Sequence, residues 1–285
     1  MNNKIVMVTG ATAGIGAVAA LELARKGAIV VGVGRNPEKC ATTIARIQRE
    51  TGNPQVEYLV ADLSSQAQIR QLAEAFKAKY NRLDVLVNNA GAFINRRQES
   101  VDGIEMTLAL NHLNYFLLTN LLLDILKASA PARIINVSSN AHQGSRINFA
   151  DIESRRRYMS WAVYGQSKLA NVLFTYELKR RLDGNGVTAN TLHPGFVASS
   201  FGHNNHDLVG WGTRIAQKIA GRSPEEGAHT IIYLASSPEV EGVTGKYFVD
   251  EKAVPSSPAT YDESTARRLW ELSAAMTGTN IPIVT

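Results

Sequence analysis

Short β-branched segments alternate with longer amphipathic segments along the chain, and this alternation limits the possible folds more than any other feature. The apolar segments are IVMVT (5–9), AIVVGV (28–33), VEYLVA (56–61), DVLVNN (84–89), RIINVS (133–138), VTANTL (187–192) and KYFVD (246–250). Nearly continuous apolar strands separated by helices predict a parallel sheet that is buried on both faces, with right-handed crossovers between its strands. We therefore expect an α/β protein with a seven-stranded, mainly parallel sheet and helices on both faces.

The composition favours one large domain over residues 1–285. The chain has 45% hydrophobic residues and 22 glycines, enough for a sizeable core, and no repeat or linker divides it. The net charge of +5 is modest, and the 30 basic residues are spread along the chain, so a nucleic-acid partner is not indicated. The single cysteine, Cys40, cannot form an internal disulfide, so the fold depends on its core.

Neither a secretion signal nor a membrane span is predicted. The chain enters its first apolar strand almost directly, without the apolar run and cleavage site of a signal peptide. The longest apolar passage, YFLLTNLLLDIL at 115–126, is interrupted by Thr119, Asn120 and Asp124 and is shorter than the roughly 20 residues of a spanning helix. We expect a buried helix there and a cytoplasmic protein.

A glycine-rich turn, TGATAGIG at 9–16, joins the first strand to the amphipathic segment 15–26. Gly10, Gly14 and Gly16 let the backbone turn tightly and approach a pyrophosphate, which the free N–H groups and dipole at the start of the helix attract. The other positions of this candidate site are Thr12, Ala13 and Ile15. The alternative is a tight turn without a ligand, but the strand–turn–helix context favours dinucleotide binding in a doubly wound Rossmann fold.

The segment VYGQSKLAN at 163–171 places a phenol and an ammonium four residues apart. In a helix, Tyr164 and Lys168 are surface neighbours, so both side chains can face the same space. Such a pair alone is weak evidence, because a half-buried tyrosine beside a solvated lysine is common in helices.

Seven motifs in a fixed order give the sequence a resemblance to a known family. They are the glycine pattern at 9–16, DL at 62–63, NNAG at 88–91, N at 111, NVSS at 136–139, YGQSK at 164–168 and HPGFV at 193–197. In this order they resemble the short-chain dehydrogenase/reductases over nearly the whole chain. The segments LNHL, RIINVSSNAH, SKLANVLFTYELKRRL and TLHPG look most like the retinol dehydrogenase-like branch.

The resemblance implies a catalytic set of four residues. Tyr164 would transfer the proton as general acid or base, and a nearby positive charge on Lys168 would favour the phenolate, since a free phenol has a pKa near ~10. Lys168 would also hold the nicotinamide ribose, and Asn111 would help to fix a water in the proton path. Ser139, rather than Ser138, would hydrogen-bond the substrate oxygen. The long segment between Ser139 and Tyr164 should lie beside the pocket.

Cofactor preference is predicted at the end of the second strand. Where NAD-dependent relatives carry a carboxylate, this chain has Gly34 followed by Arg35, which suits the 2′-phosphate of NADP(H). A solvated surface arginine is the alternative. By resemblance, further cofactor contacts are Asp62 and Leu63 at the adenine, Asn88, Ala90 and Gly91 at the adenosine ribose, and Pro194, Gly195 and Val197 at the nicotinamide.

These features together predict an NADP(H)-dependent oxidoreductase acting on the carbonyl or alcohol group of a small, lipophilic molecule. The alternatives are a reductase of conjugated carbon–carbon double bonds and a non-catalytic NADP(H)-binding regulator. HNNHD at 203–207 lacks the further ligands of a metal site, so no metal is expected. A substrate lid is expected over about 198–222, and an additional amphipathic helix over 261–277. Monomer and homo-oligomer both stay open.

Overall fold

The computed structural model describes residues 1–182, 184–195 and 222–279, and within them eight strands form one sheet. The strands are β1 (Ile5–Thr9), β2 (Ile29–Gly34), β3 (Val56–Val60), β4 (Val85–Asn88), β5 (Ala132–Val137), β6 (Val187–His193), β7 (Tyr247–Val249) and β8 (Lys252–Val254). Their spatial order is β3-β2-β1-β4-β5-β6-β7-β8, and every neighbouring pair is parallel except β7 and β8. The chain therefore has the doubly wound Rossmann fold predicted from the alternation of strands and helices.

Helices cover both faces of the sheet. In the described part they are α1 (Gly14–Arg25), α2 (Pro37–Thr51), α3 (Gln66–Lys79), α4 (Met106–Leu108), α5 (Asn114–Leu121), α6 (Leu123–Ala128), α7 (Ser160–Arg181), α8 (Pro224–Ser236) and α9 (Glu263–Thr277). Helices α1, α2 and α8 pack on one face, while α3, α5, α6, α7 and α9 pack on the other.

The alternation of side chains along each strand explains why the strands are apolar throughout. In β1, Val6 and Val8 contribute to the core beneath α1 and α8, whereas Ile5 and Met7 contribute to the core beneath α3 and α5. Because successive strand residues point to opposite faces, a sheet buried on both faces needs apolar residues at every position.

The eighth strand was not predicted from the sequence. After β7 the chain reverses through Asp250 and Glu251, both with positive φ (49° and 64°), and pairs antiparallel as β8. A two-residue hairpin turn with both residues in the left-handed region matches the twist of the strands it joins. The strand is only three residues long and largely exposed, so it lacks the apolar run that identified the other seven.

Two helical predictions can be compared with the structure. The passage 115–126 is divided between α5 and α6 in the buried layer, and no helix in the described ranges is long and apolar enough to cross a membrane. The helix expected over 261–277 is α9, which begins after Asp262, whose carboxylate accepts hydrogen bonds from the backbone N–H groups of Ser264 and Thr265. It packs along α7 through Trp270, whose ring lies 5.6 Å from that of Phe174.

Candidate active site

The strand order changes direction between β1 and β4, so the loops that follow these two strands diverge and leave a crevice at their carboxyl ends. Such a switch point is the usual ligand position in doubly wound sheets. The turn after β1 and the loop after β4 are tied together by Asn89, whose Nδ2 donates to the backbone oxygen of Thr9 at 2.8 Å. Thr9 Oγ1 in turn accepts from the backbone N–H groups of Asn89 (2.8 Å) and Ala90 (3.1 Å).

The glycine turn leaves the start of α1 open. A Cβ on Gly16 would lie 2.4 Å from both the Gly10 carbonyl oxygen and Asn89 Nδ2, so only glycine permits this close packing. Ala13 precedes the helix and provides no side-chain cap. The first N–H groups of α1 therefore have no side-chain acceptor at the cap position, an arrangement that suits a phosphate.

Sequence reasoning missed residues that shape this crevice. Asn88, which was predicted to contact the adenosine ribose, has its side chain buried, where Nδ2 donates to Thr119 Oγ1 and Asn136 Oδ1, both at 2.9 Å. The next residue, Asn89, faces the glycine turn instead. Tyr58 was also missed: its hydroxyl donates to the Ala11 carbonyl at 2.7 Å and braces the turn from β3. The paired asparagines of NNAG were a usable signal for Asn89, whereas Tyr58 had none.

At the end of β2 a side chain at position 34 would crowd the side chains of Thr12 and Cys40. A Cβ on Gly34 would lie 2.5 Å from Thr12 Cγ2 and 2.8 Å from Cys40 Sγ. Arg35 is exposed, and no carboxylate in the described ranges forms an ion pair with it. Asn36 caps α2 by accepting from the Lys39 N–H at 2.9 Å. The loop therefore presents an exposed guanidinium and no acid.

The predicted adenine contacts have structural roles of their own. The Asp62 carboxylate accepts from the Ser64 N–H at 2.9 Å and from the Ser64 hydroxyl at 2.8 Å, which closes the turn before α3. The Leu63 side chain is buried in the core.

Helix α7 brings Tyr164 and Lys168 together one turn apart. Their side chains are 7% and 3% exposed, and Lys168 Nζ lies 5.6 Å from the centre of the Tyr164 ring. The hydroxyl of Ser139, at the end of β5, hydrogen-bonds the Tyr164 side chain. Ser138 instead donates to the Lys168 carbonyl oxygen at 2.7 Å. The structure thus places Ser139, and not Ser138, next to the phenol.

Asn111 lies in a π-helical segment, Ala109–Leu113, between α4 and α5. Its side chain accepts from the Ala92 N–H at 2.8 Å and donates to the Ala92 carbonyl at 2.9 Å and to Ser167 Oγ at 3.1 Å. Its backbone carbonyl accepts from Asn171 Nδ2 at 2.8 Å. Single π-turns within α-helices are frequent at functional sites. Here Asn111 joins the loop after β4 to α7.

Burial controls the charges of the tyrosine–lysine pair. Burial raises the pKa of Tyr164 well above its ordinary value, and the hydrogen bond to Ser139 offsets this in part. Burial also lowers the pKa of Lys168 to about 7. Burial thus works against the expected role of Lys168, which is to supply a positive charge that favours the phenolate. Desolvation disfavours the ammonium and the phenolate alike.

Beyond β6, only part of the predicted nicotinamide site lies within the described residues. Pro194 and Gly195 are partly buried, and Gly195 lies against the side chain of Arg222, which pairs with Asp250 in the hairpin turn. Three of the sequence predictions concern residues outside the described ranges. They are Val197, the HNNHD segment at 203–207, where no metal is expected, and the lid up to residue 221.

Aromatic side chains flank Tyr164 at the start of α7. The ring of Phe93 lies 5.6 Å from that of Tyr164, and the Trp161 ring lies 4.6 Å from that of Phe93. Trp161 lies near the end of the long segment predicted to lie beside the pocket and is 58% exposed. Phe93 and Trp161 were not identified from the sequence, because no local pattern distinguishes an aromatic residue that lines a pocket from one that is buried in the core.

The residues of the crevice fit a dinucleotide. An open helix start at one end suits a pyrophosphate, and a buried amine at the other suits hydroxyl groups. Between them the loop after β4 has Gly91, where a Cβ would lie 3.1 Å from Asn111 Oδ1 and 3.6 Å from Lys168 Nζ. Because Gly91 has no side chain, a ligand can approach both Asn111 and Lys168 at this point.

Comparisons with known proteins agree with this geometry. The family model described as short chain dehydrogenase matches residues 4–210. Human retinol dehydrogenase 13 is 45% identical over 286 residues, covering 99% of this chain and 86% of that protein. Human polyprenol dehydrogenase is 43% identical over 286 residues, covering 97% and 86%. Among solved structures, the Pseudomonas aeruginosa RhlG/NADP active-site complex is 32% identical, covers 87% of this chain and 94% of that chain, and has a TM-score of 0.69. The chain is therefore an oxidoreductase of the short-chain dehydrogenase family and belongs to its retinol dehydrogenase-like branch.

Proposed function

We propose that this protein is an NADP(H)-dependent oxidoreductase that reduces the carbonyl group of a lipophilic aldehyde or ketone, or oxidises the corresponding alcohol, with Tyr164 as general acid or base. The observation that carries the proposal is the arrangement at the end of the crevice. There, buried Tyr164 hydrogen-bonds Ser139 and lies one helical turn from buried Lys168.

The cofactor would be held along the crevice by the residues named from the sequence. The pyrophosphate would bind at the start of α1 over Gly14, Ile15 and Gly16, and Lys168 would donate to the nicotinamide ribose. When bound, the nicotinamide supplies or accepts the hydride.

Proton transfer is the part of the reaction that this chain performs itself. The raised pKa keeps Tyr164 protonated at neutral pH, which is the form that donates from Oη to a carbonyl oxygen during reduction. The Ser139 hydroxyl would hydrogen-bond the same oxygen as negative charge develops on it. Reduction should accordingly prevail near neutral pH, and alcohol oxidation, which needs the deprotonated phenol, should increase toward alkaline pH.

The preference for NADP(H) rests on the loop after β2. Position 34 carries no carboxylate that would repel a 2′-phosphate, and exposed Arg35 can pair with that phosphate. The NADP complex of RhlG gives this choice independent support.

The cofactor proposal is tested by measuring NADPH and NADH affinities calorimetrically. The unmodified protein should bind NADPH more tightly, and Arg35→Ala should reduce that preference by about 10- to 100-fold, as expected for one charge-assisted contact. Arg49→Ala removes an exposed arginine at the far end of α2 and should change neither affinity. Equal affinities in the unmodified protein would show that this loop was misinterpreted.

The substrate class is inferred from the pocket wall. Half-exposed Trp161 offers an apolar surface and contacts buried Phe93 beside Tyr164, and two relatives are named for retinol and polyprenol. A screen of NADPH consumption across aldehydes, ketones, enones and retinoids tests this proposal. Turnover of simple carbonyl compounds supports it, while reduction confined to the double bond of enones favours the alternative reductase. Tight NADPH binding without turnover favours the regulator.

A further inference from the structure

His142 is a buried histidine with no role in the mechanism above, yet it lies three residues after Ser139. It ends the 3₁₀ turn Asn140–His142, which begins three residues after the end of β5. Its Nδ1 lies 2.8 Å from the Ser139 carbonyl oxygen, and its Nε2 lies 3.1 Å from the backbone nitrogen of Ser257. The imidazole therefore connects residues 139–142, called the serine turn below, to a distant part of the chain.

The partners of the ring determine its tautomer. A backbone N–H can only donate, so the Ser257 N–H requires an unprotonated Nε2. The neutral ring then carries its hydrogen on Nδ1, which donates to the Ser139 carbonyl. Burial lowers the pKa of His142 and so favours this neutral form. The same carbonyl also accepts the His142 backbone N–H at 3.1 Å.

The serine turn is close to Tyr164 and held on several sides. Ser139 Oγ accepts from the Ala141 N–H at 3.2 Å, in addition to its hydrogen bond with Tyr164. The turn also presses against α7, where a Cβ on Gly165 would lie 2.7 Å from the Ala141 carbonyl oxygen. A shift of the Ser139 backbone would therefore move its hydroxyl relative to the phenol.

The support for the ring at Ser257 is itself anchored on α7. Ser256 Oγ lies 2.7 Å from the Tyr176 hydroxyl and 2.6 Å from Thr260 Oγ1. The segment between β8 and α9 is thus fixed to the same helix that carries Tyr164. Through His142, the serine turn is therefore tied to α7, the helix that carries Tyr164.

We propose that His142 is a positioning residue for Ser139, with its Nε2 anchored on Ser257 and its Nδ1–H holding the Ser139 carbonyl so that the serine hydroxyl stays in register with Tyr164. The proposal rests on the role of Ser139 proposed above. His142 itself touches neither substrate nor cofactor in it.

Two substitutions separate the two hydrogen bonds of the ring. In His142→Asn, the amide nitrogen stands where Nδ1–H was and keeps the bond to Ser139. In His142→Gln, the amide oxygen reaches the position of Nε2 and keeps the bond to Ser257. With NADPH and the fastest substrate of the carbonyl panel, we expect His142→Asn to retain kcat within about threefold and His142→Gln to lose about tenfold or more. The NADPH affinity should be unchanged in both. Equal kcat values for the two variants, or losses that follow only their melting temperatures, would overturn the proposal.

A double-mutant cycle with Ser139→Ala tests whether the effect passes through the serine. In the Ser139→Ala background, His142→Gln should cost almost nothing further in kcat, whereas a general structural role would cost the same as before. If Ser139→Ala alone keeps full activity, the proposed role of Ser139 is wrong and that of His142 falls with it. If Ser139→Ala is impaired and the cycle is additive, only the inference about His142 fails.

The unmodified protein provides a test that does not depend on the folding of any variant. The ¹⁵N chemical shifts of His142 at neutral pH should identify a neutral ring protonated on Nδ1. A ring protonated on Nε2 would contradict the hydrogen bonds on which the proposal depends.

Discussion

Tyr164 and Lys168 show what residue spacing can and cannot predict. Their four-residue separation correctly predicts two side chains on one face of a helix, since that follows from helix geometry alone. Their charges could not be predicted in the same way. The pKa of Lys168 falls to about 7 because α7 is buried around it, and that burial depends on elements distant in the sequence.

The buried amine should make stability depend on pH in a defined direction. The pKa of Lys168 is about 7 in the folded protein and 10.5 as an unperturbed group, so the unfolded chain binds more protons between these values. Its contribution to stability is therefore complete above about pH 10.5 and is lost progressively as the pH falls from 10.5 to 7. Lys168→Met should remove this dependence.

The measurement is urea unfolding of the cofactor-free protein and of Lys168→Met at pH 7 and pH 9.5. Between these pH values the unmodified protein should gain roughly 2–3 kcal/mol relative to the variant. Parallel changes in the two proteins would mean that Lys168 keeps an ordinary pKa in the folded state.

At the scale of elements, the predictions of strands, turns and helices succeeded where a local sequence pattern determines the structure. The seven apolar strands, the glycine turn before α1 and the helix near the C-terminus all carry strong local patterns. β8 does not, because it is short and largely exposed, and its pairing with β7 depends on the turn at Asp250 and Glu251. Likewise, the local sequence does not show which of the two asparagines has a buried side chain, and the structure buries that of Asn88 while Asn89 faces the glycine turn.

Gly165 tests how closely the serine turn must approach α7. An added Cβ would lie 2.2 Å from Ser145 Oγ, which can rotate away, and 2.7 Å from the Ala141 carbonyl oxygen, which belongs to the backbone. Gly165→Ala should therefore push the serine turn away from Tyr164 and lower kcat by about tenfold or more, with NADPH affinity nearly unchanged. Ala162→Gly, an exposed change one turn earlier on α7, serves as the control in the same steady-state and calorimetric assays and should leave kcat unchanged. Normal turnover by Gly165→Ala would show that this approach can relax without consequence.

At the scale of the whole molecule, α9 closes the outer side of the helix layer. Its Trp270 is 5% exposed and packs 4.9 Å from the Phe116 ring of α5 and 5.6 Å from the Phe174 ring of α7. The amphipathic pattern of 261–277 predicted a helix lying on the domain. It could not identify α5 and α7 as its partners, since amphipathicity shows which face is buried but not against what.

Removal of the Trp270 ring should destabilise the protein strongly. Trp270→Ala leaves a cavity between α5, α7 and α9, and such substitutions typically cost about 3–5 kcal/mol. Trp161→Ala removes an indole that is 58% exposed, so its cost in stability should be much smaller. Urea unfolding of both variants gives the comparison, and similar losses would contradict the assigned packing of α9.

The most direct test of the proposed chemistry is the single-turnover rate of carbonyl reduction by Tyr164→Phe at saturating NADPH. The substitution removes only the hydroxyl that donates the proton and bonds Ser139, and it leaves the buried ring in place. We predict a loss of about 10²- to 10⁴-fold in rate, or more if the hydroxyl also orients the substrate, with NADPH affinity almost unchanged. Lys168→Ala should weaken both rate and NADPH affinity, because its amine is proposed to hold the ribose as well. Near-normal turnover by Tyr164→Phe would contradict the account, because another group would then have to supply the proton.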